Sequence, residues 1–484
     1  MKSLGTKTIH HLSGIFGLMI TAILVSGCST QSQTAQTGTP GKTLLNDSLL
    51  ETAVIYEANI RQYSPQGTFR AFMRDIPVLK QLGVKILWLM PIHPISKERR
   101  KATGDLFVSQ IPDPAQRQKY LGSPYAVADY YAINPNLGTE ADLHELIRTA
   151  HQNGMLVILD WVANHTGWDN PWVKEHPEYY THNARGEITD PLNPDGTSKG
   201  WKDVADLNYD NPRLRNAMTD AMAYWVKKFD IDGFRCDVAG EVPVDFWRQA
   251  IHRLRRIKPL FMLAEAWEPE LLRDSLFDMC YAWEAHFLLA DMAKGRKTVE
   301  DWDNYIRKID TLYEPDDMLM YFTSNHDENS WKGTVYETFG DAWELAAALT
   351  YTVKGMPLLY SGQEYGLAHR LKFFEKDSIP KKRGREFELY RKLGRLKNTY
   401  PALHGGKHPA DYIRLGCTNP NILVFERKKG GKRLIFAGNF SGQTQTFRVQ
   451  TTGKFHDAFT GQEIDFDPQM EINLKPWNYR LWIQ

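Results

Sequence analysis

Apolar residues recur along this chain in two alternating patterns. Nearly unbroken apolar runs occupy residues 53–58, 85–90, 155–160, 233–238, 261–266, 277–283, 318–323 and 357–361. Amphipathic stretches lie between most of them. Leu143, Leu146, Ile147 and Ala150 repeat at i, i+3, i+4 and i+7, and Met218, Met222, Trp225, Val226 and Phe229 make a second apolar stripe. Such runs joined by helices predict a parallel sheet covered on its outer side, and eight units predict an α/β fold closed as a (β/α)8 TIM barrel over residues 51–400. The stretch between Trp267 and Phe277 leaves little room for a fifth helix. Two connections are too long to be plain loops. Residues 92–138 follow the second strand and carry Pro112, Pro114, Gly122 and Pro124, while residues 165–207 follow the third and carry Trp168, Trp172 and Trp201. Both leave strand C-termini, the face on which such barrels do their chemistry. After a helical pattern at 386–398, strand-like runs at 421–426, 433–439, 444–450 and 479–483 are separated by Gly/Pro/Asn turns. They predict a C-terminal antiparallel β domain, a sandwich over residues 401–484.

The N-terminus belongs to neither part. Lys2 and Lys7 precede an apolar run at 15–25, too short to favour a spanning helix, and the run ends Val25-Ser26-Gly27-Cys28. That ending resembles a bacterial lipobox; the other reading is an ordinary secretory signal with a chance Cys. Residues 1–28 are read as a signal peptide and 29–50 as a flexible tether, Ser/Thr/Gln/Gly-rich to about residue 43. A lipid on Cys28 would hold the folded part outside the cytoplasm against a membrane. Three cysteines remain, Cys236, Cys280 and Cys417, too few and too scattered for a disulfide framework, and they are read as small core hydrophobes.

Composition narrows the partners. With 59 Lys+Arg against 58 Asp+Glu, the net charge of +1 argues against a nucleic-acid binder. The basic runs at 97–101 and 381–385 are read as solvated loops. The 22 Tyr, 22 Phe and 14 Trp supply a core, and also a groove able to stack on sugar rings. No glycine fingerprint for a nucleotide is present, so no organic cofactor is expected, and nothing selects an oligomeric state.

Polar residues gather at four strand ends: Asp160, Asn164 and His165 after strand three, Arg235 and Asp237 on strand four, Glu265 on strand five, and His326 and Asp327 after strand seven. Glycoside hydrolysis needs such a supply. One carboxylic acid protonates the leaving oxygen, a second carboxylate attacks or stabilises the oxocarbenium ion, and the two need different pKa values. Arg235 lies two residues before Asp237, on the same face of its strand, and is expected to keep Asp237 ionised.

These motifs resemble the alpha-amylase superfamily, glycoside hydrolase family 13. The matching segments are Asp160–His165 (DWVANH), Gly233–Asp237 (GFRCD), Glu265 within AEAW and Phe322–Asp327 (FTSNHD), in order, with Asp206-Leu207-Asn208 matching the motif that closes the family's inserted B domain, here 166–207. The resemblance implies Asp237 as nucleophile, Glu265 as general acid/base and Asp327 as transition-state stabiliser. It implies Arg235 as the partner of Asp237, His165 and His326 as ligands of sugar hydroxyls, and Tyr125 as the stacking residue beneath the same sugar. Asp160 is read as a network residue, and Glu364 as structural or an outer contact. The chain departs from the family where a Lys-His pair follows the nucleophile: Gly240-Glu241 stands there. Asn164 and Asp206 match calcium ligands of the family, and their alternative reading is a hydrogen-bonded joint. The implied activity is retaining hydrolysis of α-1,4-glucosidic bonds in starch, glycogen or maltooligosaccharides, endo-acting as in an alpha-amylase. The alternatives are a neopullulanase, α-glucosidase or transglycosylase on maltodextrins, or a non-catalytic glucan-binding lipoprotein.

Overall fold

The computed structural model describes residues 44–484. The signal peptide, Cys28 and most of the expected tether lie outside the described residues. Eight strands close a barrel: β1 (Val54–Ala58), β2 (Val84–Leu89), β3 (Leu156–Val162), β4 (Gly233–Asp237), β5 (Phe261–Ala264), β6 (Met279–Tyr281), β7 (Met318–Tyr321) and β8 (Met356–Tyr360). Each pairs in parallel with its sequence neighbours, and β1 pairs with β8 to close the ring. Side chains alternate between two cores. Ile55, Ile86, Trp88, Ile158, Leu263 and Met320 fill the barrel interior. Tyr56, Leu87, Val157, Phe234 and Met262 face the helix layer. Burial on both faces is why these strands read as continuous apolar runs.

The crossovers follow the expected amphipathic stretches. They are α1 (Ile76–Gln81), α2 (Glu140–Gln152), α3 (Pro212–Phe229), α4 (Val244–Arg255), α5 (Trp283–Ala293), α6 (Val299–Leu312), α7 (Trp343–Thr352) and α8 (Arg385–Thr399). Between β5 and β6 there are only two 3-10 turns, Pro269–Leu271 and Arg273–Ser275. The tether expected through residue 50 ends earlier. Asp47–Thr52 forms a helix capped by Asn46, Leu50 is buried, and Leu44, Leu45 and Leu49 pack against the barrel's interior core. Leu44, Leu45, Leu49 and Leu50 together outweigh the polar composition that precedes them.

The segment after β3 opens with a two-stranded ladder, His165–Gly167 against Val204–Asp206, in which His165 stands opposite Asp206. After α8 the chain forms a six-stranded antiparallel sheet and a separate two-stranded one. Ile422, Val424, Ile435 and Phe455 of the larger sheet share a core with Phe447 and Leu474 of the smaller. Among the described residues no helix is long and apolar enough to cross a membrane. Cys236 and Cys280 are buried and Cys417 half-buried, all as free thiols.

Candidate active site

The parallel register places Arg235 on β4 opposite Asp160 on β3 and Leu263 on β5. Arg235 is fully buried at the centre of a carboxylate ring. Its Nη1 donates to Asp160 Oδ1 at 2.8 Å and to Asp237 Oδ1 at 2.9 Å, and its Nε donates to the Tyr281 hydroxyl at 3.1 Å. Nη2 lies 2.8 Å from Glu265 Oε2, an ionic contact without hydrogen-bond alignment. That same Glu265 oxygen accepts from the Val238 amide at 2.8 Å. Val238 holds the left-handed conformation, φ 37°, a strained state for a β-branched residue and one found where a site needs its geometry.

Burial pushes the Asp237 carboxyl well above its ordinary range; Arg235 opposes this without overcoming it. Glu265 is raised by burial in the same way. Arg235 was expected to keep Asp237 ionised, and burial outweighs it here. One guanidinium is shared among Asp160, Asp237 and Glu265, so its compensation is divided. Asp237 and Glu265 lie beside the same guanidinium, and two buried carboxyls so close favour one proton between them.

Asp160 is fully buried, and its Oδ2 accepts from Trp88 Nε1 and from the Tyr125 hydroxyl, each at 3.0 Å. Its carboxylate faces Arg235 and these donors, not the cleft. Tyr125 stacks on His326 with ring centroids 5.2 Å apart, its hydroxyl 2.7 Å from His326 Nε2. His326 Nε2 is also 3.4 Å from Asp327 Oδ2. Desolvation would lower the His326 pKa, but Asp327 and Glu57 outweigh it and raise the ring to about 9. His165 has no such partner, and burial pushes it down to about 3.

Tyr125, His165, Asp237, Glu265, His326 and Asp327 line one cleft of about 450 Å3, with Arg235 and Asp160 behind it. Its walls carry Trp201, Trp331, Phe373 and Phe374. Trp331 is half exposed and packs on Phe373 at 4.9 Å. Of the other tryptophans singled out from the sequence, Trp168 is buried, Trp172 packs against the core, and Trp267 is exposed at a separate cavity. That cavity, about 620 Å3 between Trp267, α5 and α6, is larger than the cleft but holds none of the strand-end carboxylates. Glu364 is also remote from the cleft; it accepts from the Tyr56 hydroxyl at 2.6 Å and is raised to about 7 by burial.

Two partners of the site had not been singled out. Glu57 on β1 is fully buried, with Oε1 2.6 Å from His326 Nδ1 and Oε2 unpaired. A lone carboxylate inside an apolar strand was the available signal. Tyr281, on β6, looks in sequence like any core aromatic, and nothing there marks its bond to Arg235.

Asn164 and Asp206 line a different cavity, about 250 Å3, together with Lys199 and Glu241. Burial raises Asp206 to about 6, and the Lys199 charge opposes that rise. Lys199 Nζ is 2.7 Å from Glu241 Oε1. Thr181, Asn208 and Asp210 line the cavity as well, and calcium takes six to eight oxygens. Among the described residues no group of three or more His, Cys, Asp or Glu is arranged to hold a metal. Asn164 and Asp206 line this cavity without forming such a group.

A model described as the alpha-amylase catalytic domain matches residues 32–191 and 197–392. Alpha-amylase 3 of Dictyoglomus thermophilum is 25% identical over 354 residues, covering 66% of this chain and 66% of that protein. The alpha-1,4-glucan:maltose-1-phosphate maltosyltransferase of Picrophilus torridus is 26% identical over 405 residues, covering 80% and 60%. The chain thus spans less than two thirds of the length of these curated relatives. The crystal structure of a noncanonic maltogenic alpha-amylase from Thermotoga neapolitana superimposes with a TM-score of 0.78 at 29% identity, covering 90% of this chain and 99% of that one.

Proposed function

Because this chain belongs to the alpha-amylase family of glycoside hydrolases and transferases, we propose that its cleft hydrolyses internal α-1,4-glucosidic bonds of starch, glycogen or maltooligosaccharides with retention. The observation that carries the reading is the shared guanidinium. Arg235 reaches Asp237 and Glu265 from adjacent strand ends, and Asp327 faces the same cleft. Two buried carboxyls sharing one proton provide an acid and a nucleophile at once.

In the first step the Asp237 carboxylate attacks the anomeric carbon as Glu265 passes its proton to the departing glycosidic oxygen. In the second, Glu265 takes a proton from water, the hydroxyl bonds to the anomeric carbon, and the Asp237 ester bond breaks. With the shared proton on Glu265, the aligned hydrogen bond from Arg235 stabilises the Asp237 carboxylate. Asp327 and the protonated His326 face the sugar hydroxyls, and Tyr125 stacks beneath the ring. Asp237→Asn is expected to lower kcat/KM on maltoheptaose on the order of 10⁴-fold or more with the fold intact. Retained activity would exclude the covalent step. A time course separates the finer alternatives. Mixed short maltooligosaccharides appearing early support endo hydrolysis. Glucose or maltose alone means exo action, products longer than the substrate mean transfer, and binding without products means a glucan-binding protein.

The Val25-Ser26-Gly27-Cys28 ending supports attachment through a lipidated Cys28 on the extracytoplasmic side of a bacterial membrane. Radiolabelled palmitate should enter the wild-type chain and not Cys28→Ala.

A further inference from the structure

Only two 3-10 turns join β5 to β6, and beside them lies the groove of about 620 Å3 bounded by Trp267, Tyr313, α5 and α6. It shares no lining residue with the cleft. We propose that this groove is a second glucan-binding site, which holds one stretch of an α-glucan polymer while the cleft cuts another. The inference rests on the glucan reading of the cleft. Single exposed apolar residues are ordinary, but Trp267, Phe287 and Leu312 are all exposed and line the same groove. Trp267 is 60% exposed and Phe287 52%, so both offer ring surface to a ligand. Both are also held in place. The Tyr313 hydroxyl donates to Trp267 O at 2.5 Å. Phe287 stacks on Trp283 at 5.7 Å, and Trp283 stacks on the buried Tyr281 at 5.5 Å.

The rim selects the ligand's chemistry. Glu284 pairs with Lys308 at 2.7 Å, Lys297 with Asp301 at 3.0 Å, and Asp291 accepts from Arg296 Nε at 2.9 Å. Every charged residue that lines the groove is thus already paired, and Asn304 stands with them. Such a rim draws in neither a polyanion nor a polycation, and it offers hydrogen-bond donors and acceptors around aromatic surface. A glucose ring is neutral, with apolar C–H faces and hydroxyls at its edge, and matches both features. The groove also adjoins the cleft at two points. Trp267 follows Glu265 by two residues, and α5 carries His286, whose Nε2 lies 3.0 Å from Glu328 Oε2, next to Asp327. A polymer held in the groove is presented beside the catalytic carboxylates, which raises its effective concentration there. An oligosaccharide that occupies the cleft alone gains nothing.

The test separates the groove from the cleft. Binding of glycogen is measured by retardation in glycogen-containing native gels, with Asp237→Asn in the background so that the polymer is not consumed. Adding Trp267→Ala and Phe287→Ala together should weaken glycogen binding about fivefold or more. In the active chain the same pair should leave kcat/KM on maltoheptaose within about twofold of wild type. If the double variant does not fold, Trp267→Ser alone, at an exposed turn position, should weaken glycogen binding in the same direction. Unchanged glycogen binding overturns the inference and leaves the glucan reading standing, provided that the wild-type chain cleaves maltoheptaose. An equal loss on glycogen and maltoheptaose overturns it too, because the groove would then be part of the cleft. Light scattering covers the remaining occupant: a wild-type dimer that the double variant dissociates, with glycogen binding unchanged, makes the groove a contact between copies. A wild-type chain that neither cleaves nor binds any α-glucan overturns both readings.

Discussion

The residue that sets the electrostatics of the cleft without facing it is Glu57. Its carboxylate pairs with His326 Nδ1, and its second oxygen has no partner, an arrangement that costs stability unless the partner carries charge. Glu57, Asp327 and Arg235 act on His326, with Tyr125 stacked on its ring and Trp88 edge-on to it. Their balance raises the ring to about 9 from its ordinary 6.5, so it is protonated at neutral pH. The stabilising contribution is whole below 6.5 and is lost as pH rises through about 9. In wild type, Tm should therefore fall with pH across that window. Glu57→Gln should flatten the fall and move the alkaline limb of kcat/KM down by about one pH unit or more. An unchanged limb would mean that Glu57 does not hold the proton on His326.

At the scale of the element, β4 carries the most constraint. Gly233 begins it at φ 152°, and a Cβ there would meet Phe261 O at 1.8 Å. Only glycine lets β4 approach β5 closely enough for Arg235 to stand between Asp160 and Glu265. Gly233→Ala should therefore cost about 3 kcal/mol or more and reduce activity in whatever protein folds, measured by urea unfolding and by kcat on the soluble fraction. A variant near wild-type stability would show that the β4–β5 spacing has slack. The strand also explains how much of the site was legible. Arg235 and Asp237 share the inner face because side chains alternate, while Phe234 and Cys236 go to the helix layer. By contrast, the turns between β5 and β6 carry no helical period, and the short sequence there had left little room for a helix.

At the scale of the whole molecule, the barrel and the β domain are joined through buried basic side chains that bond to carbonyls. Arg427 is fully buried and donates to four carbonyls: Thr352 at 2.6 Å, Ala410 and Asp411 at 3.0 Å, and His404 at 3.1 Å. Burial lowers its pKa to about 10, which still leaves it charged at neutral pH. Lys397 donates likewise to Gly355 O at 2.9 Å and Leu403 O at 2.6 Å, and burial pushes its pKa well down. Arg427→Met removes the donor these four carbonyls share and should cost about 3 kcal/mol or more. Calorimetry should show one unfolding transition in wild type, and a second in the variant if this joint couples the two parts. A single unshifted transition would place the coupling elsewhere.

The sequence by itself determined the barrel, its eight strands, the β domain that follows it and the identity of the carboxylates at the strand ends. It could do so because burial on both faces leaves an apolar run, and a polar residue that ends such a run stands out against it. It also pointed to Tyr125, His165, Arg235 and His326 through motifs carried within short segments. Tertiary structure alone decided which charges meet. Glu57 and His326 are 269 positions apart, and no local period relates them. Lys199 reads as one more lysine in a polar loop until the turn after β4 brings Glu241 to it. The division of Arg235 among three carboxylates follows from the barrel's register. Sequence patterns record where a side chain is buried, because burial acts on each residue singly. Ion pairs and shared protons depend on distances between residues that only the closed fold brings within reach.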